Sequence, residues 1–323
     1  MQRNYKMDNI RFLLIFLVIL GHFLELFHGN FTLALYKIIY SFHMPAFLFL
    51  TGFFARFHPR KIVFNLICPY ILFQVLYRAF DAYILQGKDS FTLNFTTPYW
   101  ILWYLLTVIC YYLLIPLIDS ENAYSRKYIL GIAIVISLLA GFDSSIGYYG
   151  SLARSLTFCP FFLAGFYMHK TKSKLPNNHL ILPLSGLTAL LCSFYIVNCS
   201  AITKNVLYGS YSYEKAGHNP LIKFILLICG FAWIVFLLSA IPDKKIPFVS
   251  LFGQNTLSVF LLHGFIVKLA KKHGLFAFSE FENLLLAIVL SLILICLFGN
   301  PWIAGLFRKS SNLSKTYEKG TKQ

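Results

Sequence analysis

Apolar runs of about 18 residues or more recur along this chain from one end to the other, and a run of that length is built to cross a lipid bilayer as a helix. Ten such segments can be read, over residues 9–28, 32–55, 61–85, 99–118, 127–143, 152–168, 180–198, 221–241, 249–269 and 283–306. The runs are continuous rather than alternating, which excludes the short two-faced strands of a membrane β-barrel. Composition agrees: 58% of the 323 residues are hydrophobic and 12% are charged, against about 25% charged in soluble domains. The fold class is therefore an all-α, polytopic bundle of about ten transmembrane helices. Residues 1–307 form one membrane domain, and 308–323, "RKSSNLSKTYEKGTKQ", read as a basic, disordered cytosolic tail.

The net charge is +16. In a soluble protein that would suggest nucleic acid, but here the basic residues sit between the apolar runs, where they set topology. Placing the N-terminus, "ARFHPRK", "SRK", "HKTKSK", "PDKK" and the tail on one side gathers 18 of 28 Lys and Arg, counting Arg11. Both termini are thus expected in the cytosol, in a multi-pass protein of the cell membrane. The basic start followed by an apolar run resembles a signal peptide but lacks a small-x-small cleavage site, so it reads as a retained first helix. The seven cysteines form no CxxC, and most fall within apolar runs as small buried hydrophobes. The long segment 199–220, "CSAITKNVLYGSYSYEKAGHNP", is the largest outer loop; its polar and aromatic content suits either a surface that meets a polar substrate or a plain connector.

Ionisable side chains inside such runs are costly and mark function. Helix one carries Asp8, Arg11, His22 and Glu25. At about 100° per residue the eleven steps from Arg11 to His22 end about 20° past three full turns, so both share a face, about 16 Å apart along the axis. Asp8, one turn before Arg11, is placed to pair with it, and Glu25, three residues beyond His22, to orient it. One face thus offers a fixed cation near the inner surface and a proton-transfer group deeper in. In "YSFHMPAF" the proline at 45 frees backbone groups beside His43 and suggests a cavity wall. Later segments add Trp100, Trp103 and Tyr104 in "PYWILWYLL", Arg154 in "LARSLTF" and His263 in "LLHGF". Arg78 and Asp81, three apart, are expected to pair. No H-E-x-x-H, G-x-S-x-G or phosphate-binding loop occurs, so acid–base chemistry by His fits better than metal chemistry.

The segments "YKMDNIRFLLIFLVILGHF", "IIYSFHMPAFLFLTGFFAR", "ICPYILFQVLY", "PYWILWYLLTVICYYLL", "SLTFCPFFLAGFYM" and "GQNTLSVFLLHGF", in that order, resemble the membrane acyltransferase-3 family, and within it the fucose 4-O-acetylase-like branch. The resemblance covers about residues 5–270. It implies an integral membrane O-acyltransferase that takes an acyl group, usually acetyl from cytosolic acetyl-CoA, and delivers it to a hydroxyl of a cell-envelope glycan or lipid-linked sugar. The family's Arg-x10-His falls on Arg11 and His22, which it marks as essential, and its second-helix His on His43. An Arg-x-x-Arg that often precedes the third helix is not kept; Arg56, Arg60 and Lys61 stand there instead. On this reading His22 is the base or acyl carrier. Arg11, Asp8, Arg60 and Lys61 meet the coenzyme. His43 and Glu25 support the chemistry, Arg154, Trp103 and His263 meet the acceptor, and no metal or nucleic acid takes part. By composition alone, a transporter or flippase for a polar envelope precursor fits equally well.

Overall fold

A computed structural model describes residues 3–27, 29–173 and 179–307. Among the described residues there is no strand, and ten long helices carry the architecture: α1 (Tyr5–Leu24), α2 (Asn30–Phe54), α3 (Pro59–Leu85), α4 (Trp100–Ile118), α5 (Ala123–Leu139), α6 (Leu152–Lys170), α7 (Ile181–Asn198), α8 (Pro220–Ala240), α9 (Thr256–Lys272) and α10 (Glu280–Phe298). By length and composition α1, α2, α3, α4, α7, α8 and α10 are able to cross a membrane. The other three, of 17, 19 and 17 residues, pack beside them. The chain is an all-α polytopic membrane protein. The tail 308–323 and Lys174 lie outside the described residues.

Local chemistry sets the helix ends. Asn4 caps α1 by accepting the Met7 amide at 3.1 Å, so the helix begins four residues before its apolar run. Asn219 caps α8 by accepting from the Ile222 amide, with Pro220 in the first turn. At α10, Ser279 and Glu282 form a reciprocal capping box. Two segments differ from the sequence expectation. Residues 249–269 are broken: a short helix, Pro247–Phe252, precedes α9, and the join at Gly253 lies where a Cβ would collide with the Asp8 carbonyl. Residues 283–306 break at Gly299-Asn300-Pro301, because Pro301 cannot donate the next helical hydrogen bond.

Packing makes α1 and α2 the centre of the bundle. α1 lies against α2, α9 and α10, and α2 lies against α1, α6, α7 and α8. α2 and α6 touch backbone to backbone: a Cβ at Gly52 would strike the Phe162 carbonyl, and one at Gly165 would strike the Phe49 carbonyl. Small residues at a helix crossing are a means of association in lipid, where burial of apolar surface offers no driving force. The periphery is apolar in turn. On α7, Leu184, Leu187, Leu190, Leu191 and Phe194 are all exposed, a stripe at helical spacing that suits contact with acyl chains.

Candidate active site

Two cavities open along the face of α1 that carries Arg11 and His22. One, of about 280 Å³, is lined by Arg11 and Val18 of α1, by Thr51 and Phe54 of α2 and by Tyr104 and Tyr112 of α4. The other, of about 170 Å³, is lined by His22, Glu25, Tyr40, His43, Trp100, Trp103 and Arg154, among others. Met44 of α2 lines both. The shared face read from the sequence is thus a wall running through the protein, with Met44 between its two chambers.

In the first chamber Arg11 is held at both ends of its electrostatics. Asp8 Oδ1 lies 3.7 Å from its Nη1, and the guanidinium sits 4.1 Å above the Phe54 ring. Asp8 is shared, because its other oxygen accepts from Arg3 Nε at 2.8 Å. Arg11 thus lines the chamber with its guanidinium placed by Asp8 and Phe54. Arg60 and Lys61 are exposed at the start of α3 and line neither chamber.

In the second chamber a polar chain backs His22. The Tyr40 hydroxyl donates to Glu25 Oε1 and lies 3.2 Å from His22 Nδ1. A hydroxyl has one proton, so Tyr40 must accept from His22, which assigns the proton of His22 to Nδ1 and the lone pair to Nε2. Glu25 Oε1 also stands 3.6 Å from His22 Nδ1, and Tyr208 donates to it at 3.5 Å. A carboxylate behind an imidazole whose free nitrogen serves the cavity is the arrangement a general base requires. His43 spends its Nδ1 proton on the Ile39 carbonyl at 2.7 Å, so its remaining nitrogen is also an acceptor. His263 is fully buried, donates from Nδ1 to the Val259 carbonyl at 3.0 Å, and stacks on His22 with ring centroids 5.6 Å apart. It packs against His22 and is not among the residues that line the chamber.

The remaining wall is aromatic and cationic. Trp100 packs 4.7 Å from the His22 ring, and its backbone holds φ at +39°, a strained value for a tryptophan. Arg154, 9% exposed, lies 4.8 Å above the Trp103 ring and 5.0 Å from that of Tyr148. Its Nε donates to the Tyr208 carbonyl at 3.1 Å. Leu207 and Tyr208 bring the long segment 199–220 to the cavity. Among the described residues, no group of three His, Cys, Asp or Glu is placed to hold a metal ion.

The structure thus gathers His22, Glu25, His43, Trp103 and Arg154 in one chamber and puts Arg11 and Asp8 at the other. Tyr40, Met44, Tyr148 and Tyr208 were not singled out from the sequence. Tyr40 had a signal, since it precedes His43 by three residues on the same face of α2, whereas Met44 reads as one more apolar residue. Tyr208 lies in the segment 199–220, whose polar and aromatic content stands out only as a whole, and Tyr148, in another connecting segment, carried no signal of its own.

A family model described as an acyltransferase domain matches residues 4–300. The chain belongs to the acyltransferase-3 family. Among characterised members it is similar to Nodulation protein NolL of Sinorhizobium fredii (strain NBRC 101917 / NGR234), at 30% identity over 199 residues, which are 55% of this chain and 52% of the relative. The chain spans about half the length of that curated relative. No solved structure matches it. The chain places Arg11 and His22 on one wall, with a chamber at each.

Proposed function

We propose that the protein is an O-acyltransferase that moves an acetyl group from cytosolic acetyl-CoA to a hydroxyl of a cell-envelope glycan or lipid-linked sugar, in the cell membrane and with both termini cytosolic. The observation that carries this reading is the pair of chambers that share Met44 in their walls, one lined by Arg11 and the other by the backed imidazole of His22. The coenzyme is an anion with a long flexible arm. Its charged part suits Arg11, held by Asp8, with Arg60 and Lys61 adding positive charge to the approach. Its thioester would then reach past Met44 toward His22.

The acceptor enters the second chamber. His43, whose remaining nitrogen is an acceptor, takes a hydrogen bond from the substrate and orients it. His22 Nε2 takes the proton of the reacting hydroxyl as the oxygen attacks the thioester carbon. The tetrahedral intermediate collapses, the carbon–sulfur bond breaks, and the imidazolium returns its proton to the departing thiolate. Glu25 and Tyr40 stabilise the imidazolium during its lifetime. Neutral His is suited to this role near pH 7.

The test is transfer from radiolabelled acetyl-CoA in proteoliposomes of purified protein supplied with a glycolipid acceptor. Label moves to the acceptor with wild type and not with His22→Ala. Absence of both transfer and coenzyme binding by folded wild-type protein refutes acyl transfer and leaves a transporter of polar envelope precursors as the reading.

A further inference from the structure

The His22 chamber contains a cation with no counter-charge. Glu25 is the carboxylate on its wall, and its Oε1 is engaged by Tyr40, Tyr208 and His22. Among the described residues no carboxylate lies within ion-pair distance of Arg154. Burying an unpaired guanidinium is expensive, and a fold retains one where a ligand completes it. Arg154 is also built rather than merely present. Its Nε is tied to the Tyr208 carbonyl and its face is covered by Trp103 and Tyr148, which fixes the plane of the guanidinium. The two terminal nitrogens, with no hydrogen bond among the described residues, are left to the cavity it lines. A planar pair of N–H donors matches a carboxylate or phosphate in two parallel hydrogen bonds. Around it, Trp100, Trp103, Tyr148 and Tyr208 line the same cavity, and aromatic side chains suit contact with the C–H groups of a sugar.

We propose that Arg154 binds an acid group, a carboxylate or a phosphate, carried by the sugar that accepts the acyl group. This rests on the acyl-transfer reading for the word acceptor, but the binding itself is measurable without transfer. The chamber then selects an acidic sugar: the anion seats on Arg154, the ring packs on the aromatic wall, and a free hydroxyl meets His22 and His43.

The experiment titrates the protein in lipid nanodiscs with three probes, 4-nitrophenyl β-D-glucuronide, 4-nitrophenyl β-D-glucoside 6-phosphate and the neutral 4-nitrophenyl β-D-glucoside, following quenching of tryptophan emission. At least one anionic probe binds about tenfold or more tightly than the neutral one, and whichever binds better identifies the acid group. Arg154→Gln removes the preference, and Arg154→Lys keeps the charge without the planar fork and retains part of it. Equal binding of all three probes by wild type overturns the proposal, as does an anionic preference that survives Arg154→Gln. So does a variant that binds every probe as wild type does and slows acetyl transfer to each equally, which would make Arg154 a stabiliser of the oxyanion. Transfer to the neutral probe without anionic preference sinks the acid subsite and leaves acyl transfer standing. Anionic preference in a folded protein that shows neither transfer nor coenzyme binding does the reverse.

Discussion

Replacing Glu25 by Gln keeps the size of the side chain and removes its charge. Glu25 Oε1 lies 3.6 Å from His22 Nδ1, with the two side chains 20% and 14% exposed. At an effective dielectric constant near 20, a carboxylate and an imidazolium at that separation attract by about 4–5 kcal/mol. That is a ceiling of about one- to five-thousandfold on the rate if the proton on His22 is fully developed in the transition state. Residual solvent and the amide's own hydrogen bonds reduce it, so Glu25→Gln is expected to lower kcat about 10- to 100-fold. KM for acetyl-CoA should stay within about twofold, because Glu25 lines the His22 chamber and not the one containing Arg11. Tyr40→Phe removes the hydroxyl that joins the two and should lower kcat in the same direction. The assay is steady-state acetyl transfer in proteoliposomes, with folding checked by thermal unfolding. A folded Glu25→Gln protein with wild-type kcat would refute the assignment of His22 as a carboxylate-backed base.

Met44→Trp places a bulkier ring where the two chambers meet, and should abolish acetyl transfer while coenzyme binding at Arg11 persists; calorimetry beside the transfer assay reads both. Gly165→Leu forces a side chain into the Phe49 carbonyl, an overpacking that costs about 1–3 kcal/mol or more and should lower the unfolding midpoint in detergent. His218, in the segment before α8, is pushed down to about 4 by burial and by the nearby Lys223. It is neutral in the folded protein and takes up a proton on unfolding below about pH 6.5, so its contribution is full above that pH and is lost as pH falls toward 4. The unfolding midpoint should therefore fall between pH 7 and pH 5, and fall less in His218→Gln.

The fold was legible where its cause is local. The apolar runs correspond to long helices among the described residues, seven of them long and apolar enough to cross a membrane, and the Arg11–His22 face followed from helical periodicity, which needs no knowledge of neighbours. Reading failed where a backbone contact or a distant residue decides. The break before α9 depends on Gly253 meeting Asp8, 245 residues away in sequence. Arg78 and Asp81 do not pair as their spacing suggested; Asp81 accepts from Gln86 at 2.9 Å, and Arg78 lies 5.3 Å from the Tyr99 ring. In the site, His22, Glu25, His43, Trp103 and Arg154 stood out because polar or bulky groups are conspicuous in apolar runs. Met44 did not, since a methionine in a greasy helix looks like filling. Its significance lies in what stands on either side of it.

The backbone contact between α2 and α6 reaches beyond stability. His43 rides on α2 and Arg154 on α6, and the two helices are pinned at Gly52 and Gly165, about two to three turns from those residues. The pinning sets the width of the chamber from a distance, as a hinge pin sets the gap between two plates. Side chains on the chamber wall can therefore be exchanged without moving the two helices apart. A larger side chain at either glycine would instead push the helices apart and change the chamber as a whole, although neither residue lines it.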